Sequence, residues 1–201
     1  MSDTIDYYEE VLLLRKKVEK YETLLTGVNE MTTFDFGNGL VPAHQHPNGG
    51  GWVADTATVS KTAYVGPDAW VFGDAEVFGN AWVYDDAWVS GNAKVSGNAM
   101  VTVNAKVFGN AWVYGTAMVT VNAEVFGNAW VYDDAWVSGN AKVSGNARVY
   151  DDARVSGNAW VFSDAEVFGN AWVYDDAWVS GRARVYDDAR VSGNAWVYDD
   201  A

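Results

Sequence analysis

Ala93-Lys94-Val95-Ser96-Gly97-Asn98 is one unit of the six-residue pattern that decides the fold. The next unit begins at Ala99, and the pattern extends in both directions without an insertion. Valine occupies position 53 and every sixth position to 197. Alanine occupies position 57 and every sixth position to 201. A common variant closes on two aspartates, as in Ala81-Trp82-Val83-Tyr84-Asp85-Asp86. Each unit therefore holds a period-two core, Ala-x-Val, followed by a turn pair.

Strands this short cannot bury a useful face as hairpins. They can wind into a coil with every valine pointing inward. Three units, 18 residues, then make one triangular turn, and successive turns stack as parallel strands ~4.8 Å apart. Residues 52–201 thus form one domain, a single-stranded parallel β-helix of about eight coils and ~40 Å. Valine fills the strand interior because it is β-branched. Alanine sits at the corner, where the prism narrows. Gly and Asn tolerate positive φ at the turn, and Asn can also stack on Asn in the next coil.

Outside the repeat, residues 4–28 carry heptad spacing. Thr4, Val11, Val18 and Leu25 form one series, and Tyr7, Leu14, Tyr21 and Val28 the other. The spacing predicts an N-terminal α-helix over 1–28, either an oligomerising coiled coil or a cap on the β-helix. Residues 29–51 read as a connector, because Gly37, Gly39, Pro42, Pro47 and Gly49-Gly50-Gly51 interrupt regular structure.

Composition narrows the function. The chain has 27 acidic and 13 basic residues, a formal net charge of −14. That sign argues against direct nucleic-acid binding, though it allows a surface that imitates nucleic acid. No cysteine is present, so there is no disulfide or thiolate metal site. No stretch is apolar enough to span a bilayer, and Val11-Leu12-Leu13-Leu14 is too short for a secretory core. The expected compartment is the cytoplasm.

The repeat resembles the hexapeptide-repeat, left-handed parallel β-helix superfamily, and the likeness covers 53–201. The lead-in Pro42-Ala43-His44-Gln45-His46-Pro47-Asn48-Gly49-Gly50-Gly51-Trp52-Val53 looks like that of bacteriophage-encoded proteins of this type. The resemblance implies a left-handed coil, a phage source and a host-cytoplasmic setting. It also implies a homotrimer packed side by side.

Residues 18 apart share a face. Face one carries Thr58, Glu76, Lys94, Trp112, Trp130, Arg148, Glu166 and Arg184. Face two carries Tyr64, Trp82, Met100, Met118, Trp136, Arg154, Trp172 and Arg190. Face three carries Trp70, Trp88, Lys106, Glu124, Lys142, Trp160, Trp178 and Trp196, with Phe108 and Phe126 among the partner positions. The aromatic area of face three is expected to serve as a subunit interface or as a platform for a host protein or small ligand. Lys106, Glu124 and Lys142 read as a charge ladder between its two Trp groups.

Candidate chemistry is sparse. The superfamily's acyltransferases place a histidine between subunits and extrude a loop, whereas this repeat has neither. His44 and His46 lie in the connector. A His-x-His pair can bind a metal or act as a base, or it can cap the first coil. The Asp pairs at the turns read as solvated corners. No phosphate loop, dinucleotide fingerprint or Ser-His-Asp set occurs, so no cofactor is expected. Residues 75–99 recur identically at 123–147, and 123–139 recur at 165–181. Neither offset is a multiple of 18, so each copy lands on a new face, which suits a scaffold better than a fixed catalytic cleft.

Three functions follow. The first is a non-catalytic, homo-oligomeric interaction scaffold. The others are an acyltransferase relative with a site at a subunit interface, and an acidic phage inhibitor of a host defence system.

Overall fold

A computed structural model describes residues 14–18 and 32–200. The chain divides into two compact units, Met1–Thr32 and Thr33–Ala201. The second is a left-handed parallel β-solenoid of about eight turns. Its strands are β1 (Thr33–Asp35), β2 (Leu40–Gln45), β3 (Trp52–Ala54) and a run of two-residue strands from β4 (Thr58–Val59) to β27 (Trp196–Val197). They form one sheet of 11 strands and two of 8, and within the solenoid each strand pairs with those three before and three after it.

The 18-residue register holds throughout. Lys94 lies between Glu76 and Trp112, and Val95 between Val77 and Val113. The residues flanking valine carry the ladder: Lys94 N–H donates to the Ala111 carbonyl and Ser96 N–H to that of Val113, both at 2.9 Å. The alanines and valines of the two six-residue series, from Ala63 to Val179, are fully buried. Each buried valine contributes roughly 1.5–3 kcal/mol before chain entropy is subtracted.

The turn differs from expectation in one respect. From Gly73 to Asp199 the fifth residue of every unit has φ between 53° and 76°. The sixth does not, so Asn never uses its tolerance of positive φ there. This is the geometry of a turn with positive φ at its first central residue only. Asn instead builds amide ladders. Asn92, Asn110, Asn128 and Asn146 donate in series, the last to Asp164, at 2.8–3.1 Å. Val103 and Val121 occupy the left-handed position with φ of 62° and 66°, an unfavourable one for a β-branched residue.

The connector holds more order than its glycines suggest. Strands β1 and β2 form an antiparallel hairpin whose bend is tied by Asp35 Oδ1, which accepts from Gly37 and Gly39 N–H at 2.7 and 2.9 Å. Strand β2 then pairs antiparallel with β3 and covers the edge of this first solenoid strand. Residues 46–51 cover the next edge: Gly51 N–H donates to the Val65 carbonyl at 2.9 Å, and Val65 N–H to that of Asn48 at 3.0 Å. The glycine run permits this approach. A Cβ on Gly49 or Gly51 would sit 2.1 Å from the carbonyl oxygen of Val65 or Gly66.

The coiled coil expected over 4–28 is corrected. Among the described residues the chain is almost entirely strand, and helix is confined to 14–18. A coiled-coil seam needs several turns buried against a partner helix to offset nucleation. Leu14 and Val18, one from each heptad series, are both more than half exposed. The other heptad positions lie outside the described residues. No helix among the described residues is long and apolar enough to cross a membrane.

Candidate functional site

The three faces have the membership read from the sequence, because the pairing register places residues 18 apart in vertical contact. Trp52 adds one further member below Trp70 on face three.

Face three divides into two aromatic groups. At its N-terminal end Phe34 stacks on Trp52 at 4.5 Å and Phe36 on Phe72 at 5.0 Å. Trp70 stacks on Trp88 at 5.1 Å, and Lys106 Nζ lies over the Trp88 ring at 4.8 Å. At the C-terminal end Trp178 meets Trp160 edge-to-face and stacks on Trp196. Trp160 Nε1–H donates to Ser144 Oγ at 3.1 Å. An open groove of about 410 Å³ runs between Phe162, Trp178, Ser180, Trp196 and Tyr198. Phe108 and Phe126 stack at 4.9 Å between the two groups. Of the expected charge ladder only one rung forms, Lys142 Nζ to Glu124 at 3.5 Å, since Lys106 turns to Trp88 instead.

The most exposed tryptophans of the solenoid's middle are elsewhere. Trp82 (48%), Trp136 (39%) and Trp172 (37%) lie on face two and Trp112 (39%) on face one, while Trp70, Trp88, Trp160 and Trp178 are half-buried. Face two also carries a zipper that the count of tryptophans per face does not reveal. Arg154 is sandwiched between Trp136 and Trp172, its guanidinium carbon 5.6 and 5.0 Å from the ring centres, and Arg190 covers Trp172 at 5.1 Å. Its sequence signal is Trp-Arg-Trp-Arg at 18-residue spacing.

Face one is satisfied along its length. Lys94 pairs with Glu76 at 2.9 Å and lies over Trp112, Trp112 stacks on Trp130, and Arg148 covers Trp130. Arg148 and Arg184 both reach Glu166. Beside this column Tyr114, Tyr132, Tyr150, Phe168 and Tyr186 stack at 4.9–5.4 Å. Burial among its neighbours pushes the Tyr132 hydroxyl up to about 12, with the stacked Tyr114 and Tyr150 adding to the effect. Rings stacked along the axis show their edges to solvent. Only a ring at the end of a stack offers its face to a ligand.

The longer duplicated block, 75–99, spans more than one coil, so it carries some vertical neighbours with it. Glu76–Lys94 in the first copy reappears as Glu124–Lys142 in the second. Lateral neighbours change, but this vertical ion pair survives the move between faces.

The two histidines occupy different surroundings. His44 is exposed, and its Nδ1 lies 2.8 Å from Asp55 Oδ1. Asp55 also borders a largely apolar cavity of about 380 Å³ formed with Phe36, Val41, Pro42, Ala54 and Phe72. His46 is buried, with Nδ1 3.1 Å from the Asn48 carbonyl oxygen. Among the described residues no group of three or more His, Cys, Asp or Glu is placed to hold a metal ion.

Residues 141–157, 147–163 and 183–199 match the family described as the YdcK beta solenoid repeat. These segments are similar to that repeat, and the chain is a parallel β-solenoid distantly related to β-solenoid repeat families. No curated protein matches it.

Proposed function

We propose that this chain is a non-catalytic interaction scaffold that assembles with copies of itself, a phage-encoded relative of the hexapeptide-repeat β-helices. The observation that carries the reading is the placement of the tryptophans. They stand on a rigid coil as ordered ladders, and several remain more than a third exposed along faces one and two. Apolar surface of this extent on a soluble chain points to a partner. The open groove at Trp178 and Trp196 is one surface for that partner, whether a second copy, a host protein or a small ligand. The phage source and the superfamily rest on the resemblance of residues 42–53 and of the repeat. Light scattering of the intact protein tests the assembly. About three chains per particle are expected, and a monomer at micromolar concentration overturns the reading.

A second reading is favoured by one observation, the His44–Asp55 pair at 2.8 Å beside the cavity. A carboxylate on Nδ1 leaves Nε2 as the group able to take up a proton, an arrangement suited to acid–base work. An acyltransferase relative would use it. A double His44→Ala, His46→Ala variant that still assembles decides the matter. Retained biological effect supports the scaffold, and loss with intact assembly supports the acid–base site.

A further inference from the structure

Among the described residues of the repeat, face two carries two arginines that reach no carboxylate, and Lys61 and Lys106 elsewhere reach none either. Among the described residues of the repeat, Lys94, Lys142, Arg148, Arg182 and Arg184 each reach a carboxylate within 4.0 Å. Arg154 and Arg190 do not, and they share one column two coils apart. Both are exposed, Arg154 lying over Trp136 and Trp172 and Arg190 over Trp172. A guanidinium that rests over a ring and pairs with no carboxylate of its own chain keeps N–H groups free to receive one.

The corner between faces one and two shows the opposite imbalance. Asp133 and Asp134 lie directly beneath Asp151 and Asp152, one coil apart, ~4.8 Å by the strand spacing. Like charges at that spacing repel. Asp134 accepts from Thr116 and Asp151 from Gly169 N–H, and neither contact brings a cation. Two coils above Asp151 and Asp152 stand Asp187 and Asp188. The acidic and basic columns thus have the same two-coil spacing, and each acid pair sits in the same coil as its arginine.

We propose that a second copy of this chain docks on face two, in parallel and in register. Asp152 and Asp188 of the neighbouring copy then meet Arg154 and Arg190. The inference rests on the self-assembly reading above and names its surface. The alignment follows from symmetry. An axis parallel to the solenoid puts equivalent residues of all copies at one height. Arg154 is then level with Asp152 of its neighbour to about half an ångström, two residues of rise in a coil of ~4.8 Å. A twofold axis lying across the solenoid would instead oppose the arginine column to itself. Each copy presents both columns, so the contact is head-to-tail and generates a ring where the rotation about that axis closes.

The test uses the full chain and two kinds of variant, with mass measured by light scattering across a dilution series. Arg154→Glu with Arg190→Glu is expected to weaken assembly at least tenfold. Adding Asp152→Lys and Asp188→Lys to the same chain is expected to restore it. Asp152→Asn with Asp188→Asn guards against misfolding, since Asn is the commonest residue at that position of the repeat. It is also expected to weaken assembly at least tenfold. An assembled wild type whose Asp→Asn variant keeps its mass overturns the docking surface and leaves the scaffold reading standing. Failure of the lysine changes to rescue a folded Arg→Glu chain also overturns it. A monomeric wild type overturns both.

Discussion

The two aromatic groups of face three have nearly the same chemistry and different surroundings. At one end Trp52, Trp70 and Phe72 lie under a hairpin that sets Phe34 and Phe36 against them. At the other, Trp160, Trp178 and Trp196 line an open groove. The covered group is part of a cap, and it shields the first valine layer where a bare strand edge would otherwise invite pairing. The open group is a ladder without such a cover. An aromatic cluster on a solenoid can therefore be an internal seal or an exposed surface, and composition alone does not separate the two.

Beneath both groups runs one valine layer, and breaking it is the largest effect expected. Val125 lies midway between them and is fully buried. Val125→Asp would place a charge with no partner in a core one side chain thick, so a loss above about 4 kcal/mol is expected. Equal melting temperatures for variant and wild type would refute the inward valines and with them any contrast drawn on the outer surface. Glu124→Ala, one residue away, removes only the half-exposed pair with Lys142 and should cost below about 1 kcal/mol.

Phe36→Ala attacks the cover itself. Phe36 is buried against Trp70 and Phe72, and its loss should cost about 3–5 kcal/mol. Tryptophan emission should also shift to the red as Trp70 meets water. A cost below about 1 kcal/mol with unchanged emission would mean that the hairpin merely rests on the face, and the two groups would then be equivalent.

Much of this architecture was legible in the sequence because the burial of valine and alanine outweighs every other influence on the fold. At strict six-residue spacing they leave a single way to bury apolar surface, so register, faces and coil number follow by counting. The amide ladders followed as well, since position six stacks on itself. The hairpin was not legible. Its signals are Asp35 capping two glycine N–H groups and a glycine run that allows the chain to touch Val65 and Gly66, which are tertiary approaches and not periodic patterns. The heptads of 4–28 misled in the other direction, because spacing describes a helix face only where a partner buries it. For the surface, counting tryptophans per face pointed to face three. Exposure is set by what lies above and below each ring, and a neighbouring arginine leaves Trp136 and Trp172 more open than another tryptophan leaves Trp178.

The tyrosine stack on face one shows how far stacking alone desolvates a ring that has no cover. Tyr132 has its hydroxyl pushed up to about 12 by burial, with Tyr114 and Tyr150 contributing. In the unfolded chain it would titrate near its ordinary value of 10. Between those values the folded chain holds a proton that the unfolded chain has lost, so stability is complete below pH 10 and falls as the pH rises towards 12. Tyr132→Phe should flatten that fall and remove the highest step from an absorbance titration of the phenolates. A variant whose alkaline melting curve matches the wild type would show that the stack leaves Tyr132 wet.

A smaller effect than that of Phe36→Ala is expected at the centre of the open group. Trp178 contacts Trp160 and Trp196 at 5.2 and 5.3 Å and is half-buried by them, with no hairpin above. Trp178→Ala therefore loses three aromatic pairs, the third with Phe162, each worth about 0.5–1.5 kcal/mol beyond area, and leaves the valine layer intact. The melting temperature should fall by a few degrees only, much less than for Phe36→Ala. Its effect on particle mass then separates two uses of the face. Unchanged mass would mean that copies meet elsewhere, as on face two, and leave the groove free for another partner. A shift towards monomer in a well-folded Trp178→Ala chain would place the groove inside the assembly. A stability loss as large as that of Phe36→Ala would erase the contrast between covered and open aromatics altogether.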